Sequence, residues 1–343
     1  MAIQTSEIKW YKPTIVNDTT ANGGSITANE IPDGVKNNVW PDVPQAERTS
    51  GSVKYRKSFI KVANDDDLKL IDAKIFIETH TPGDDSIVLI SGTQTDTQAE
   101  ADDYTRFYGA GDLDANVAAL DTTIAVNVEA GNSATGHNIF QDGDLIRISN
   151  QATVDDPTGN SEFILLAASA GVSWNGDKAT LTFADGVSLA NSYLASNTTV
   201  ASVIEAADIE ATTDSWGESS TSGSYDETTY PPITDHIGTI EQTWIITFID
   251  ATNFSCTGDT VGSVGSGAIG GGDFAPINSD FAKPYFTITD GTPPWGGSWA
   301  ASETITFKTH PAAVAVWEKR SVPAGADSLS GNKVVIAISG ESE

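Results

Sequence analysis

Cysteine, methionine and basic side chains are scarce in this 343-residue chain. It has one cysteine, Cys256, and one methionine. A single cysteine excludes an internal disulfide framework and any cysteine-ligated zinc. It leaves the compartment open, because proteins without disulfides work on both sides of a membrane. No run of 18 apolar residues occurs, so no membrane span is expected. The start, Met1–Trp10, lacks the apolar stretch of a secretory signal. Internal repeats and the G-x-S-x-G nucleophile elbow are also missing. Glycine and proline stand near ordinary usage and apolar residues make up 39%, which excludes collagen-like and wholly disordered classes.

Lysine and arginine number 18 against 47 acids, a net charge of −29. Residues 1–74 carry ten bases and ten acids, and residues 283–343 carry five and six. Between them, residues 75–282 hold only Arg106, Arg147 and Lys178 against 31 acids. Such a stretch repels phosphate, so direct nucleic-acid binding is not expected. It reads as a solvated acidic surface, or as a face that docks on a basic partner or lines a passage for DNA.

What the chain does have is period-two alternation. Ile71, Ala73, Ile75 and Ile77 share one face of a strand, as do Ile124, Val126 and Val128. Ala179, Leu181 and Phe183 form a third set, and Trp244, Ile246 and Phe248 a fourth. These are half-buried antiparallel strands. Lys333–Ser339, nearly all apolar, reads as a central strand, and Thr198–Ala211 reads as a short helix or another strand. The expected fold class is all-β: an Ig-like or jelly-roll-type β-sandwich formed from both chain ends, interrupted by an acidic β-rich insertion, with an extended N-terminal arm. Residues 1–50 form the arm, and residues 51–104 with 283–343 the discontinuous sandwich. Residues 105–210 form an inserted small β-barrel or sandwich, and residues 211–282 a linker loop with additional strands. In this scheme Leu68–Glu78 and Glu303–Thr309 belong to one neutral scaffold that carries an anionic guest.

Chemical motifs mostly fail on context. Gly265-Ser266-Gly267-Ala268-Ile269-Gly270 matches G-x-G-x-x-G, but no helix or βαβ unit follows it. Asp112-Leu113-Asp114-Ala115-Asn116 opens like an EF-hand, yet Val117 and Thr123 stand where glycine and glutamate are needed. No cofactor is expected. Calcium is the one ion for which hard oxygen ligands are plentiful, from Asp84, Asp85, Asp102, Asp103 and Asp65–Asp67. His80, His137, His236 and His310 lack metal-ligand spacing. Trp295 and Trp299, in a glycine-rich turn, are the candidates for stacking on a carbohydrate, although such rings more often anchor a core. The basic run Lys54-Tyr55-Arg56-Lys57-Ser58-Phe59-Ile60-Lys61 reads as a charged edge strand or a partner surface for an acidic insert of an adjacent copy.

Two stretches carry a resemblance. Asp33-Gly34-Val35-Lys36-Asn37-Asn38-Val39-Trp40-Pro41-Asp42-Val43, followed by Gln45-Ala46-Glu47-Arg48 and Lys54-Tyr55-Arg56-Lys57, resembles uncharacterised structural proteins of tailed bacteriophages. So does the closing region with Thr309-His310-Pro311-Ala312, Trp317-Glu318-Lys319-Arg320 and Val322-Pro323-Ala324-Gly325. The resemblance implies a non-enzymatic, multi-copy component located in the virion, whose partners are other copies of itself and other virion proteins. A tail or baseplate position is favoured, because an acidic lining lets DNA pass, with capsid decoration as the alternative. The candidate interface residues are Trp10, Tyr11, Val39, Trp40, Val43, Lys54, Arg56 and Lys57. A glycan-binding fibre or adhesin module is the competing class, and a polysaccharide hydrolase a third.

Overall fold

A computed structural model describes residues 2–128, 137–154 and 156–343. The all-β class holds: strands joined by antiparallel pairing dominate, and among the described residues no helix exceeds six residues.

The central sandwich is built from both ends. One sheet runs in the order Gly23–Glu30, Ile8–Ile15, Ser52–Val62, Ala313–Val322 and Ser86–Ser91. The second runs Ile204–Ile209, Leu70–Thr79 and Val335–Ser342. Ser52–Val62 pairs with Ala313–Val322 in unbroken register, from Lys61↔Ala313 to Ser52↔Val322. Ile60, Leu89 and Val316 of the first sheet meet Ile75, Phe76, Ile77 and Ile204 of the second in one core. Each such side chain contributes roughly 1.5–3 kcal/mol by burial.

Two domains are looped out of this sandwich. The first, residues 107–203, is ordered Val172–Asn175, Lys178–Thr182, Thr123–Val128, Ala110–Leu113, Thr199–Ser202, Leu145–Ser149 and Ser161–Leu165. Backbone bonds from Ala167 N–H to Thr182 O (3.0 Å) and from Ala184 N–H to Leu165 O (2.9 Å) bring the last strand back to Lys178–Thr182. The sheet therefore closes into a small barrel, with the Val172–Asn175 hairpin arm outside the ring. Ile124, Val126, Val128, Ala179, Leu181 and Phe183 point into its core, as their alternation requires. The chain then re-enters the sandwich through Ile204–Ile209, which pairs with Leu70–Thr79.

The second domain, residues 211–310, is a sheet of Thr212–Glu218, Thr304–His310, Gln242–Phe248, Asn253–Gly258 and Gly262–Ala268. An aromatic core including Trp244, Phe248, Phe254, Phe286, Trp295, Trp299 and Phe307 packs on it.

Several sequence expectations need correction. Residues 1–50 are not an extended arm: Ile8–Ile15 pairs with Ser52–Val62 through Tyr11↔Phe59 and Trp10↔Ile60, and Gly23–Glu30 closes the hairpin. Thr304–His310 does not join Leu70–Thr79; it pairs with Thr212–Glu218 and Gln242–Phe248 and shares the second domain's core. Alternation specifies a strand with one apolar face and leaves its partner open. Residues 211–282 are therefore no linker but most of a complete domain. Val335–Ser342 is an edge strand, not a central one, and Thr198–Ala211 is two strands, Thr199–Ser202 and Ile204–Ile209. The scaffold is not neutral either. With the observed boundaries, the sandwich (1–106, 204–210, 311–343) holds 14 bases and 24 acids, the barrel 2 and 11, and the second domain 2 and 12. All three units are acidic, and what distinguishes the sandwich is that it holds most of the bases.

Candidate functional site

The basic run lies on a central strand, not an edge, and Lys54, Arg56 and Lys57 are paired with carboxylates within the chain. Along one face of Ser52–Val62, Ile60 and Val62 are apolar core. The same face continues as Ser58, Arg56 and Lys54. Opposite them on the paired strand stand Val316, Glu318 and Arg320. Trp40 lies over this polar end. Its Nε1–H donates to Glu318 Oε2 at 2.8 Å, and the guanidiniums of Arg56 and Arg320 stand 5.0 and 4.5 Å from its ring centroid. Ser58 Oγ donates to Glu318 Oε1 at 2.9 Å. Burial pushes the Glu318 carboxyl upward, opposed by these donors and by Arg56. Asp18 bridges Arg56 and Lys54, each at 2.8 Å, and Glu47 holds Lys54 at 2.7 Å. Arg320 Nη1 donates to Pro41 O at 3.0 Å.

The other face of the strand carries Tyr55, Lys57, Phe59 and Lys61, all buried. Lys57 Nζ lies 2.7 Å from Asp96 Oδ1, with the two side chains 0% and 2% exposed. It also donates to Gly24 O at 2.7 Å and Asp96 O at 3.0 Å. Asp96 Oδ2 accepts from Trp317 Nε1–H at 3.0 Å and from the Tyr104 hydroxyl at 2.9 Å. Trp317 is the cross-strand partner of Lys57. Gly23 and Gly92 allow this packing: a Cβ on Gly23 would fall 2.7 Å from Asp96 O and from the Trp317 ring, and one on Gly92 2.9 Å from that ring. Burial lowers the Lys57 pKa against the pull of Asp96. Lys61 is fully buried beside the second domain, donating to Thr239 O at 3.2 Å and facing the Phe281 ring at 5.3 Å. Desolvation brings its pKa down to about 7, despite Asp235.

Of the eight candidate interface residues, Trp10, Tyr11, Trp40, Lys54, Arg56 and Lys57 have partners within the chain. Trp10 and Tyr11 sit in the sheet hairpin, and Val39, Trp40 and Val43 are half-buried in the segment over Glu318. Lys54, Arg56 and Lys57 are neutralised by Asp18, Glu47 and Asp96. Sequence reasoning missed Asp18, Asp96, Tyr104 and Asp235. Thr97-Gln98-Ala99-Glu100, the capping box that follows Asp96, was a readable signal of an ordered turn there.

Four of the calcium candidates have partners within the chain. Asp65 pairs with Lys283 at 2.8 Å, Asp67 accepts from His236 N–H, Asp84 from Asp327 N–H, and Asp85 from Asn332. Among the described residues no three His, Cys, Asp or Glu side chains cluster as metal ligands. His310 bridges Glu241 at 2.9 Å and Asp214 at 3.2 Å, and His80 contacts Asp112 at 3.1 Å. His137 packs on Phe107, and burial takes its pKa down to about 4.

Trp295 and Trp299 are 4% and 3% exposed. Trp299 stacks on Phe248 at 4.2 Å and 9°, and Trp295 meets Tyr225 edge-on. Neither offers a free face to a sugar, so these rings are core rather than a carbohydrate platform. Trp295→Ala is expected to destabilise the second domain by about 3–5 kcal/mol, a loss that urea unfolding followed by tryptophan fluorescence would measure. An unchanged midpoint would contradict the core assignment.

At the root of the barrel lies an open cleft of about 350 Å³, lined by Ile90, Ser91, Asp103, Tyr104, Thr105, Arg106 and Tyr108. Its cation is already occupied: Arg106 stacks 3.8 Å from the Tyr108 centroid and pairs with Asp144 at 2.6 Å. The pairing ties the sandwich connector to the barrel. No protein-family model, curated protein or solved structure matches the chain.

Proposed function

We propose that the chain is a non-enzymatic structural component of a tailed-phage virion that self-assembles in multiple copies, with a tail or baseplate position favoured. The observation that supports self-assembly most directly is the strand Val335–Ser342. It pairs with Leu70–Thr79 on one side only and ends the sheet. It begins Val335-Ile336-Ala337-Ile338, with no proline or lysine within it. The apolar part of this edge, Val335–Ile338, is a template for a strand of another molecule, and Gly340 and Glu341 bound it on one side. The doubly rooted domains fit a mechanical role, since each inserted domain is held by two chain crossings into the same sandwich. The sequence resemblance at the two ends supplies the virion context.

The test is sedimentation velocity and negative-stain imaging of the full chain over a wide concentration range. Closed rings, tubes or spikes are expected, and amides of Val335–Ser342 should gain hydrogen-exchange protection in the assembled form. A protein that stays monomeric at every concentration would sink the reading.

A further inference from the structure

The geometry around Lys57 and Asp96 points to a modification site: we propose that these two side chains condense spontaneously into an intramolecular amide cross-link. The proposal stands independently of the virion reading.

Four observations carry it. First, the amine and the carboxyl are held in contact, Nζ to Oδ1 at 2.7 Å, by a closed set of neighbours. The carbonyls of Gly24 and Asp96 fix the amine, so little entropy remains to be lost on reaction. Second, the two carboxylate oxygens are differentiated. Oδ2 receives both Trp317 Nε1–H and the Tyr104 hydroxyl, while Oδ1 faces the amine and has no aligned hydrogen-bond donor. Two preorganised donors on one oxygen are what a tetrahedral adduct needs for its developing charge. Third, the pair is dry. Nζ lies 4.8 Å from the Phe59 centroid and 5.7 Å from that of Trp317. In such surroundings the ion pair lacks the hydration that stabilises it in water. Fourth, burial lowers the Lys57 pKa, the direction that favours a nucleophilic amine.

The step balances without an oxidant or a co-reactant. The ammonium passes one proton to Oδ1, leaving a neutral amine and a carboxylic acid. The Nζ lone pair then adds to Cγ, and the negative charge moves to Oδ2 under Trp317 and Tyr104. A second proton from nitrogen reaches the Oδ1 hydroxyl, the Cγ–Oδ1 bond breaks, and water departs. The product is an Nζ–Cγ amide with its carbonyl oxygen in the Trp317–Tyr104 pocket. The link would fasten Ser52–Val62 to the connector that follows Ser91 and leads into the barrel. Tension on the barrel is then borne at its root by a covalent bond.

Intact-mass measurement of the purified full chain tests this, with the state of the first residue fixed from the N-terminal peptide. The expected mass lies about 18 Da, one water, below that of the sequence. Trypsin should release a branched peptide joining residues 57–61 to residues 75–106, because acylated Lys57 is no longer cleaved. Lys57→Arg should have the full mass. Tyr104→Phe, which removes one hydroxyl, should form the link at least about tenfold more slowly, because it removes one of the two donors on Oδ2. A wild-type chain of unreduced mass with no branched peptide overturns the proposal. A Tyr104→Phe protein that closes at the wild-type rate overturns the assigned role of Tyr104.

Discussion

Replacing Lys61 by Met should make the protein more stable at neutral pH, by about 2–4 kcal/mol. Lysine is almost never fully buried without a partner. Among the described residues, Lys61 has a backbone carbonyl and an aromatic face for company and no carboxylate within ion-pair distance. Its pKa falls from 10.5 to about 7. Between these values the unfolded chain holds the proton and the folded chain does not, so stability rises with pH across this window. The contribution of Lys61 is most favourable above pH 10.5, is lost as the pH falls, and reaches its floor below about 7. Met keeps the stem volume and removes the charge. It also leaves Thr239 O without this donor, which is why the expected gain is smaller than the full shift implies. Denaturant unfolding of both proteins at several pH values between 7 and 10 provides the check. The difference between them should shrink as the pH rises toward 10.5, since the cost of deprotonating Lys61 on folding falls across this window. The comparison also cancels the tyrosines: burial pushes Tyr104 and Tyr225 up to about 12, and their contribution falls away in alkali in both proteins. A difference that is constant with pH, or a destabilised variant, would falsify the account of Lys61.

The same residue shows where sequence reading stops. The sequence marked Lys54–Lys61 as a strand but placed it at an edge. By ordinary rules, four bases in eight residues belong on an edge. The compensating groups are far away in sequence: Asp18 and Glu47 before the strand, Asp96 after the fifth strand of the sheet, Glu318 near the end of the chain. Nothing local predicts that these converge. The barrel was more legible because its strands are consecutive or nearly so, and because Ile124, Val126, Val128, Ala179 and Leu181 alternate cleanly. The joint sandwich of the two ends was legible in outline. Its exact membership was not, since Thr304–His310 and Ala313–Val322 are both good strands only two residues apart, yet they serve different sheets.

Deleting residues 1–45 should unfold the sandwich, not merely block assembly. Removing Ile8–Ile15 strips Tyr11 and Trp10 from Phe59 and Ile60, and bares the edge of Ser52–Val62. Gly23–Glu30 goes with it, taking Ile26 out of the cluster of Phe59, Ala313 and Ala315. The polar losses are heavier still. Glu318 loses its Trp40 donor, Arg56 and Lys54 lose Asp18, and Lys57 loses the Gly24 carbonyl. Each buried group left without its partner costs about 1–3 kcal/mol, more where it is charged. Their total, with the lost apolar burial, exceeds the 5–15 kcal/mol by which an ordinary domain is stable. The expected result is a truncated chain that is insoluble, or that shows fewer unfolding transitions in calorimetry than the full chain, with the barrel and the second domain melting on their own. A soluble truncated protein that keeps the sandwich transition at its original temperature would mean that the hairpin and the Trp40 segment are dispensable to the fold. The segment would then be free to contact a neighbouring copy.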